Sequence, residues 1–161
     1  MYRFFVPGRV AGYMRVTNTI RIHAICKDPQ EREAIHQQLE QVLGKELSVS
    51  YEDIQDDERV KKTYDPLYAL TARLYNQPEQ KAFIKYLRKH LPAADKQALK
   101  QEAANHLDER LNFFFRLDKQ AFLNNKCRHV LRGDVLQVRV NLCAHPKKSS
   151  RVLLKISELL A

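Results

Sequence analysis

The chain has 161 residues, 44% of them hydrophobic, and a formal net charge of +9. That length suits one domain that buries its own core, and no stretch approaches the ~20 apolar residues of a membrane span. Three cysteines (Cys26, Cys127, Cys143), odd in number and without C-x-x-C spacing, argue against a disulfide framework and for a reducing, cytoplasmic setting.

The charge is unevenly spread. It is +5 over residues 1–27, −6 over 28–65, +3 over 66–110 and +7 over 111–161. The two basic ends can meet in space, and a basic surface of that size points to a nucleic-acid partner. The alternative is a basic protein with no such partner. The first residues carry Arg3, Arg9 and Arg15 without the apolar run of a signal peptide. We read 1–17 as a basic N-terminal extension, 18–145 as the folded domain, and 146–161 as a basic, amphipathic tail.

Ile20 to Cys26 alternates apolar and polar residues, the mark of a half-buried strand. Asp28, Pro29 and Glu31 then supply an N-cap, a first-turn proline and a capping-box acid. Ile35, Leu39, Val42 and Leu43 recur at helical spacing, and Gly44 is placed to close the helix. A second strand is expected over Glu46 to Glu52, with Leu47, Val49 and Tyr51 on its apolar face. An acidic loop, Asp53 to Asp65, follows.

Pro66 opens a third strand through Tyr75, with Tyr68, Leu70, Ala72 and Leu74 inward. Pro78 starts a helix that Pro92 ends. A further helix spans roughly 93–109 on a stripe of Leu99, Ala103 and Leu107. In the fourth strand Leu111, Phe113, Phe115 and Leu117 share one face, and Asn112, Phe114 and Arg116 the other. Asp118 caps a short turn of helix, Lys119 to Leu123. Asn124 to Arg132 is basic and turn-like. Val135 to Cys143 forms the last strand, with Leu136, Val138, Val140 and Leu142 inward. The tail becomes apolar at Val152, Leu153, Ile156, Leu159 and Leu160, which suits a closing helix. This order gives a two-layer α+β sandwich, a mainly antiparallel sheet with helices on one face and the other face open.

The outward strand positions are Arg21, His23, Thr71, Arg73, Tyr75, Asn112, Phe114, Arg116, Gln137, Arg139 and Asn141. Arginines, rings and amides dominate, and Glu52 on the short second strand is the one acid beside them. Open sheet faces of this kind stack bases on rings and neutralise phosphates with Arg. Other chemistry has little support. There is no Walker A loop, no dinucleotide-binding glycine run and no H-E-x-x-H, so no cofactor or metal is expected. Cys127, His129 and His145 are a weak alternative as metal ligands. His23 is a candidate general acid or base for RNA cleavage, but no obvious second histidine stands within reach.

At Phe115-Arg116-Leu117-Asp118-Lys119-Gln120-Ala121 the chain resembles a family of small archaeal proteins described as RNA-binding or exosome-subunit-like. Gly133-Asp134 and Val138-Arg139-Val140 extend the likeness, which spans roughly 18–145. The resemblance implies a curved-sheet sandwich similar to the ribosomal protein that binds the smallest ribosomal RNA. It also implies a link to RNA-processing or ribosome-related assemblies.

The leading expectation is a non-catalytic RNA-binding protein. Arg21, His23, Arg73, Phe114, Arg116, Lys119, Arg139, Lys147, Lys148 and Arg151 would contact RNA. A protein–protein adaptor of such an assembly is the alternative reading, and an RNA-cleaving enzyme a third.

Overall fold

The computed structural model describes residues 15–53, 67–144 and 149–161. Most of the N-terminal extension, nearly all of the acidic loop, and His145, Lys147 and Lys148 lie outside the described residues.

Strand β1 covers Thr17–Cys26. Ile20, Ile22, Ala24 and Cys26 are buried and Arg21, His23 and Ile25 face the open side, while Thr17, before a register shift, is buried and donates to Gln80 Oε1 at 2.6 Å. Helix α1, Pro29–Leu43, begins as its sequence dictates. The Asp28 carboxylate accepts the Glu31 backbone N–H at 2.7 Å, and the Glu31 side chain accepts the Lys27 N–H at 3.2 Å. Gly44, at φ 69°, returns its own N–H to the carbonyls of Glu40 and Gln41.

Strand β2 is Val49–Asp53, later than the expected 46–52. The reason is local: Glu40 Oε2 takes the Leu47 N–H at 2.8 Å, which ties that residue to α1. Tyr51 lies on the apolar side as expected but at the sheet edge, so it is exposed. Its ring covers the Arg32 guanidinium at 4.2 Å.

Strand β3 is Tyr68–Leu74 and helix α2 is Gln77–His90. Asn76 caps α2 by accepting the Glu79 N–H at 2.9 Å. The expected helix over 93–109 divides into α3, Ala93–Gln101, and a 3₁₀ turn, Ala103–His106. Leu107 ends it by pairing with Phe113 in an extended bridge. The Asp108 carboxylate then gathers the N–H groups of Arg110 and Asn112, each at 2.9 Å. Hydrogen bonds from Asn112 hold that carboxyl below the usual carboxylate range. Leu111 adopts φ 64°, so strand β4 starts one residue later, at Asn112, and runs to Asp118.

Helix α4, Lys119–Leu123, is capped by Asp118 as expected, through the Ala121 N–H at 2.9 Å. Strand β5 is Val135–Leu142 and helix α5 is Ser149–Leu159.

The sheet order is β2-β3-β1-β5-β4, antiparallel throughout and open at both ends. Its apolar face packs on Ile35 and Leu39 of α1, Phe83 and Leu87 of α2, Leu99 of α3, and Val152 and Ile156 of α5. Cys26 and Cys127 are buried free thiols. Burial pushes the Cys127 thiol up to about 12, so it stays protonated and inert at neutral pH. Among the described residues no helix is long and apolar enough to cross a membrane.

Candidate nucleic-acid interface

The register decides which open-face side chains stand together. Arg73 of β3 pairs with Arg21 of β1, Arg21 with Arg139 of β5, and Arg139 with Phe114 of β4. These four residues form one rung across four strands. Neighbouring strands lie ~4.8 Å apart, so the three guanidinium stems start within a span of about 10 Å. The next rung reads Ser50, Thr71, His23, Gln137, Arg116 across all five strands. The first rung carries charge and ends on a ring. The second carries groups that donate and accept hydrogen bonds.

Among the described residues, Arg21, Arg73, Arg116 and Arg139 have no ion-pair partner. Burial lowers the Arg21 pKa, the charges of Arg139 and Arg73 lower it further, and Glu52 opposes them. Its Nε is buried without a hydrogen bond. Like charges crowded this way raise the energy of the free protein and favour an anion between them. His23 is also held below the ordinary imidazole value, by burial first, then by Arg21 and Arg73 against Glu52. Its Nδ1 sits 2.9 Å from the Thr71 hydroxyl. Thr71 itself, expected as an exposed group, is buried beneath its neighbours.

Phe114 is 42% exposed between two buried phenylalanines. Phe113 and Phe115 pack into the core, and alternation leaves Phe114 on the basic face. Arg116 is fixed by a hydrogen bond from its guanidinium to the Leu131 carbonyl at 2.6 Å.

Lys119 departs from the expected set. It is 1% exposed and lies inside the fold, not on an electrostatic track. Its ammonium meets Glu31 Oε1 at 3.0 Å, the Asp134 carboxylate and the Ile25 carbonyl. Burial alone would lower its pKa, but hydrogen bonds and charge from Asp134 and Glu31 outweigh that and raise it. The Arg116-to-Gln120 motif is therefore largely a folding device. Leu117 fills the core, Asp118 caps α4, Lys119 ties β4 to α1 and to Asp134, and Gln120 reaches Asp134. Arg151 also stands apart: it is exposed on α5, in the helix layer on the far side of the sheet.

The outer edge of β4 is covered in a way the sequence did not announce. His106 of the 3₁₀ turn sets Nδ1 2.8 Å from the Phe114 carbonyl. The loop after α4 returns alongside β4, with the Val130 N–H donating to the Arg116 carbonyl at 3.1 Å. His106 and His129 face each other edge to face, with ring centres 5.8 Å apart. These groups enclose a cleft beside Phe114, which also touches Gln137 and the exposed Leu131.

An open antiparallel α+β sandwich with a basic, aromatic-bearing sheet face defines a class of nucleic-acid-binding architecture. Residues 19–142 match the model of a protein family described as RNA binding, and the chain belongs to that family. It is 25% identical over 151 residues to RNA-binding protein PAB1135 of Pyrococcus abyssi, which covers 94% of this chain and 97% of that one. The fold is similar to that of protein AF2318 from Archaeglobus fulgidus, with TM-score 0.71 and 20% identity over 90% of this chain and 99% of the other. It is also similar to Mth689, a DUF54 protein from Methanothermobacter thermautotrophicus, with TM-score 0.70 and 20% identity over 91% and 99%.

Proposed function

We propose that the protein is a non-catalytic RNA-binding protein of the cytoplasm that lays RNA across its open sheet face. The observation that carries this reading is the rung Arg73–Arg21–Arg139–Phe114, three guanidiniums without ion-pair partners among the described residues and one exposed ring in a row. Family membership agrees with it. Binding titrated against salt tests it. Contact of three phosphates by these arginines gives a slope of log affinity on log salt near −2 for a single strand, from about 0.7 per phosphate. A flat salt response contradicts the reading.

Phe114→Ala weakens RNA roughly five- to hundredfold, the effect of about 1–3 kcal/mol for one stacked base. Its thermal unfolding stays close to that of the parent, because the ring is not in the core. Loss of the fold in this variant would place Phe114 in the core and end the model.

His23 gives a pH signature. Its folded pKa lies below the ordinary ~6.5, so the unfolded chain takes the proton first. The group therefore costs stability as pH falls through ~6.5 toward the folded value. RNA phosphates near the ring favour the imidazolium instead, so RNA affinity rises over the same acid range. His23→Gln removes both effects, measured as the difference from the parent in melting temperature and in Kd between pH 8 and pH 5.5. An unchanged pH profile of affinity places the phosphates elsewhere.

A second reading is an adaptor role in RNA-processing (exosome) or ribosome-related assemblies, which would use a different surface. Leu153 and Leu154 are exposed on α5, away from the sheet face. Leu153→Ser/Leu154→Ser keeps RNA affinity and loses co-purification with such an assembly. Retained co-purification removes α5 as the docking surface.

A further inference from the structure

The ring of Phe114 separates two spaces of unequal size and chemistry. On one side is a small recess lined by Arg21, His23, Gln137 and Arg139, with a volume near 40 Å³. One water occupies ~10–15 Å³ on this measure, so the recess holds about three oxygen-sized positions. That suits a phosphate group beside two arginines. On the other side is the cleft at the β4 edge, with a volume near 260 Å³. It is lined by Phe114, His106, His129, Leu131, Arg116 and Gln137, among others.

The cleft has features that the phosphate rung does not explain. Leu131 is 63% exposed although it is a large apolar side chain, and with Phe114 it offers the cleft two apolar walls. The Arg116 guanidinium is already held by the Leu131 carbonyl, so it is fixed in place as a planar surface at the rim. The Gln137 and Asn105 side chains are exposed and both line the cleft. Apolar and planar walls with a few amides at the edge suit a flat, heteroaromatic ring whose rim carries donors and acceptors.

We propose that this cleft is a base-binding subsite for one unpaired nucleotide of single-stranded RNA. The proposal rests on the RNA-binding reading above and gives it a substrate class. The base enters beside Phe114, between that ring and Leu131. The adjoining phosphate lies in the recess at Arg21 and Arg139, directly across the ring. Gln137 lines both spaces and meets the nucleotide where base and backbone join. A duplex cannot offer this arrangement, because its bases are stacked and paired on the edges the cleft would contact.

The test uses the full chain and three RNA probes of equal length: a single strand, the same strand with all bases removed, and a duplex. Affinities are measured for the parent, Leu131→Ala, Gln137→Ala and Arg21→Gln. Both cleft positions are exposed, so these truncations keep the fold, as circular dichroism will confirm. The expected result is that the parent prefers the intact single strand over the abasic strand by roughly five- to hundredfold, from one stacked base, and over the duplex in the same direction. Leu131→Ala narrows that preference and leaves the abasic affinity and its salt dependence unchanged, while Gln137→Ala, at a residue that lines both spaces, narrows it and also weakens the abasic strand. Arg21→Gln weakens all three probes. If intact and abasic strands bind equally while Arg21→Gln still weakens both, the subsite is wrong and the RNA-binding face stands. If no probe binds, both fall.

Discussion

Arg21→Gln/Arg139→Gln abolishes most RNA affinity and leaves the protein at least as stable as the parent. On the proposed reading each guanidinium would make a charge-assisted hydrogen bond to phosphate, worth about 1.5–3 kcal/mol. Losing two removes about 3–6 kcal/mol, which is on the order of a hundred- to ten-thousandfold in Kd. The salt slope falls by about 1.4 for two lost phosphates on a single strand. Stability moves the other way because the rung is uncomfortable without its ligand. Burial and the charges of Arg139 and Arg73 already lower the Arg21 pKa, and no acid among the described residues pairs with it. A neutral amide at both positions relieves that repulsion. A residue retained for binding at a cost to the free fold would behave this way. Equilibrium unfolding and RNA titration of the same preparation check both signs. A double variant that loses stability and keeps RNA affinity would make the rung a structural feature.

Lys119→Ala gives the opposite pair of effects, a large loss of stability and no RNA phenotype of its own. The variant leaves Glu31 buried without its cation, and breaking one side of a buried pair costs about 3–5 kcal/mol. For a chain of this length that is a fall in melting temperature on the order of 10 °C. Lys119→Met fares little better, because it restores bulk but not charge. Lys119→Met/Glu31→Leu recovers part of the loss by removing the buried pair together, the remainder being the Glu31 acceptor for the Lys27 N–H. The pH dependence follows from the raised folded pKa of Lys119. Its stabilisation is complete below the ordinary ~10.4 and is lost only as pH rises through the higher folded value. Thermal melts of the three variants and the parent decide the matter. A Lys119→Ala protein that melts with the parent and binds RNA weakly would return Lys119 to the interface.

The contrast between these two predictions marks where sequence patterning stopped being informative. Period-two alternation along four strands placed Arg21, Arg73, Phe114 and Arg139 on the open side, and the structure keeps them there. Alternation says nothing about which of them are neighbours. The rung exists because β1 lies at the centre of the order β2-β3-β1-β5-β4, paired with β3 on one side and with β5, far along the chain, on the other. Lys119 looked like one more charge in a basic region. Its burial depends on Glu31 from α1 and Asp134 from the turn before β5, and no local pattern joins those three residues. Glu31 was legible as a cap and Asp134 as a turn residue. Each does that work and also holds the lysine.

The cleft was hidden for a similar reason. Asn124 to Arg132 reads as a basic turn-like segment, and nothing in its composition says that it returns to β4 as an edge cover. The return is made by backbone groups, the Val130 N–H on the Arg116 carbonyl and the Asp118 N–H on the Arg128 carbonyl. Backbone pairing is independent of side-chain type, so the sequence carries little trace of it. The expected single helix over 93–109 failed for the same kind of cause. Leu107 is drawn into a strand-type bridge with Phe113 across the tight turn at Asp108, a pairing that overrides helical propensity.

The most direct test of the central claim is an NMR titration of the full chain with a short single-stranded RNA. The arginine Nε–H and backbone amide signals report where the RNA sits. The largest changes are expected at the Nε–H groups of Arg21, Arg73 and Arg139 and at the amides flanking Phe114 and Gln137, with α1, α2 and α5 quiet. Changes concentrated on the helix layer, with the arginine rung unmoved, would contradict it.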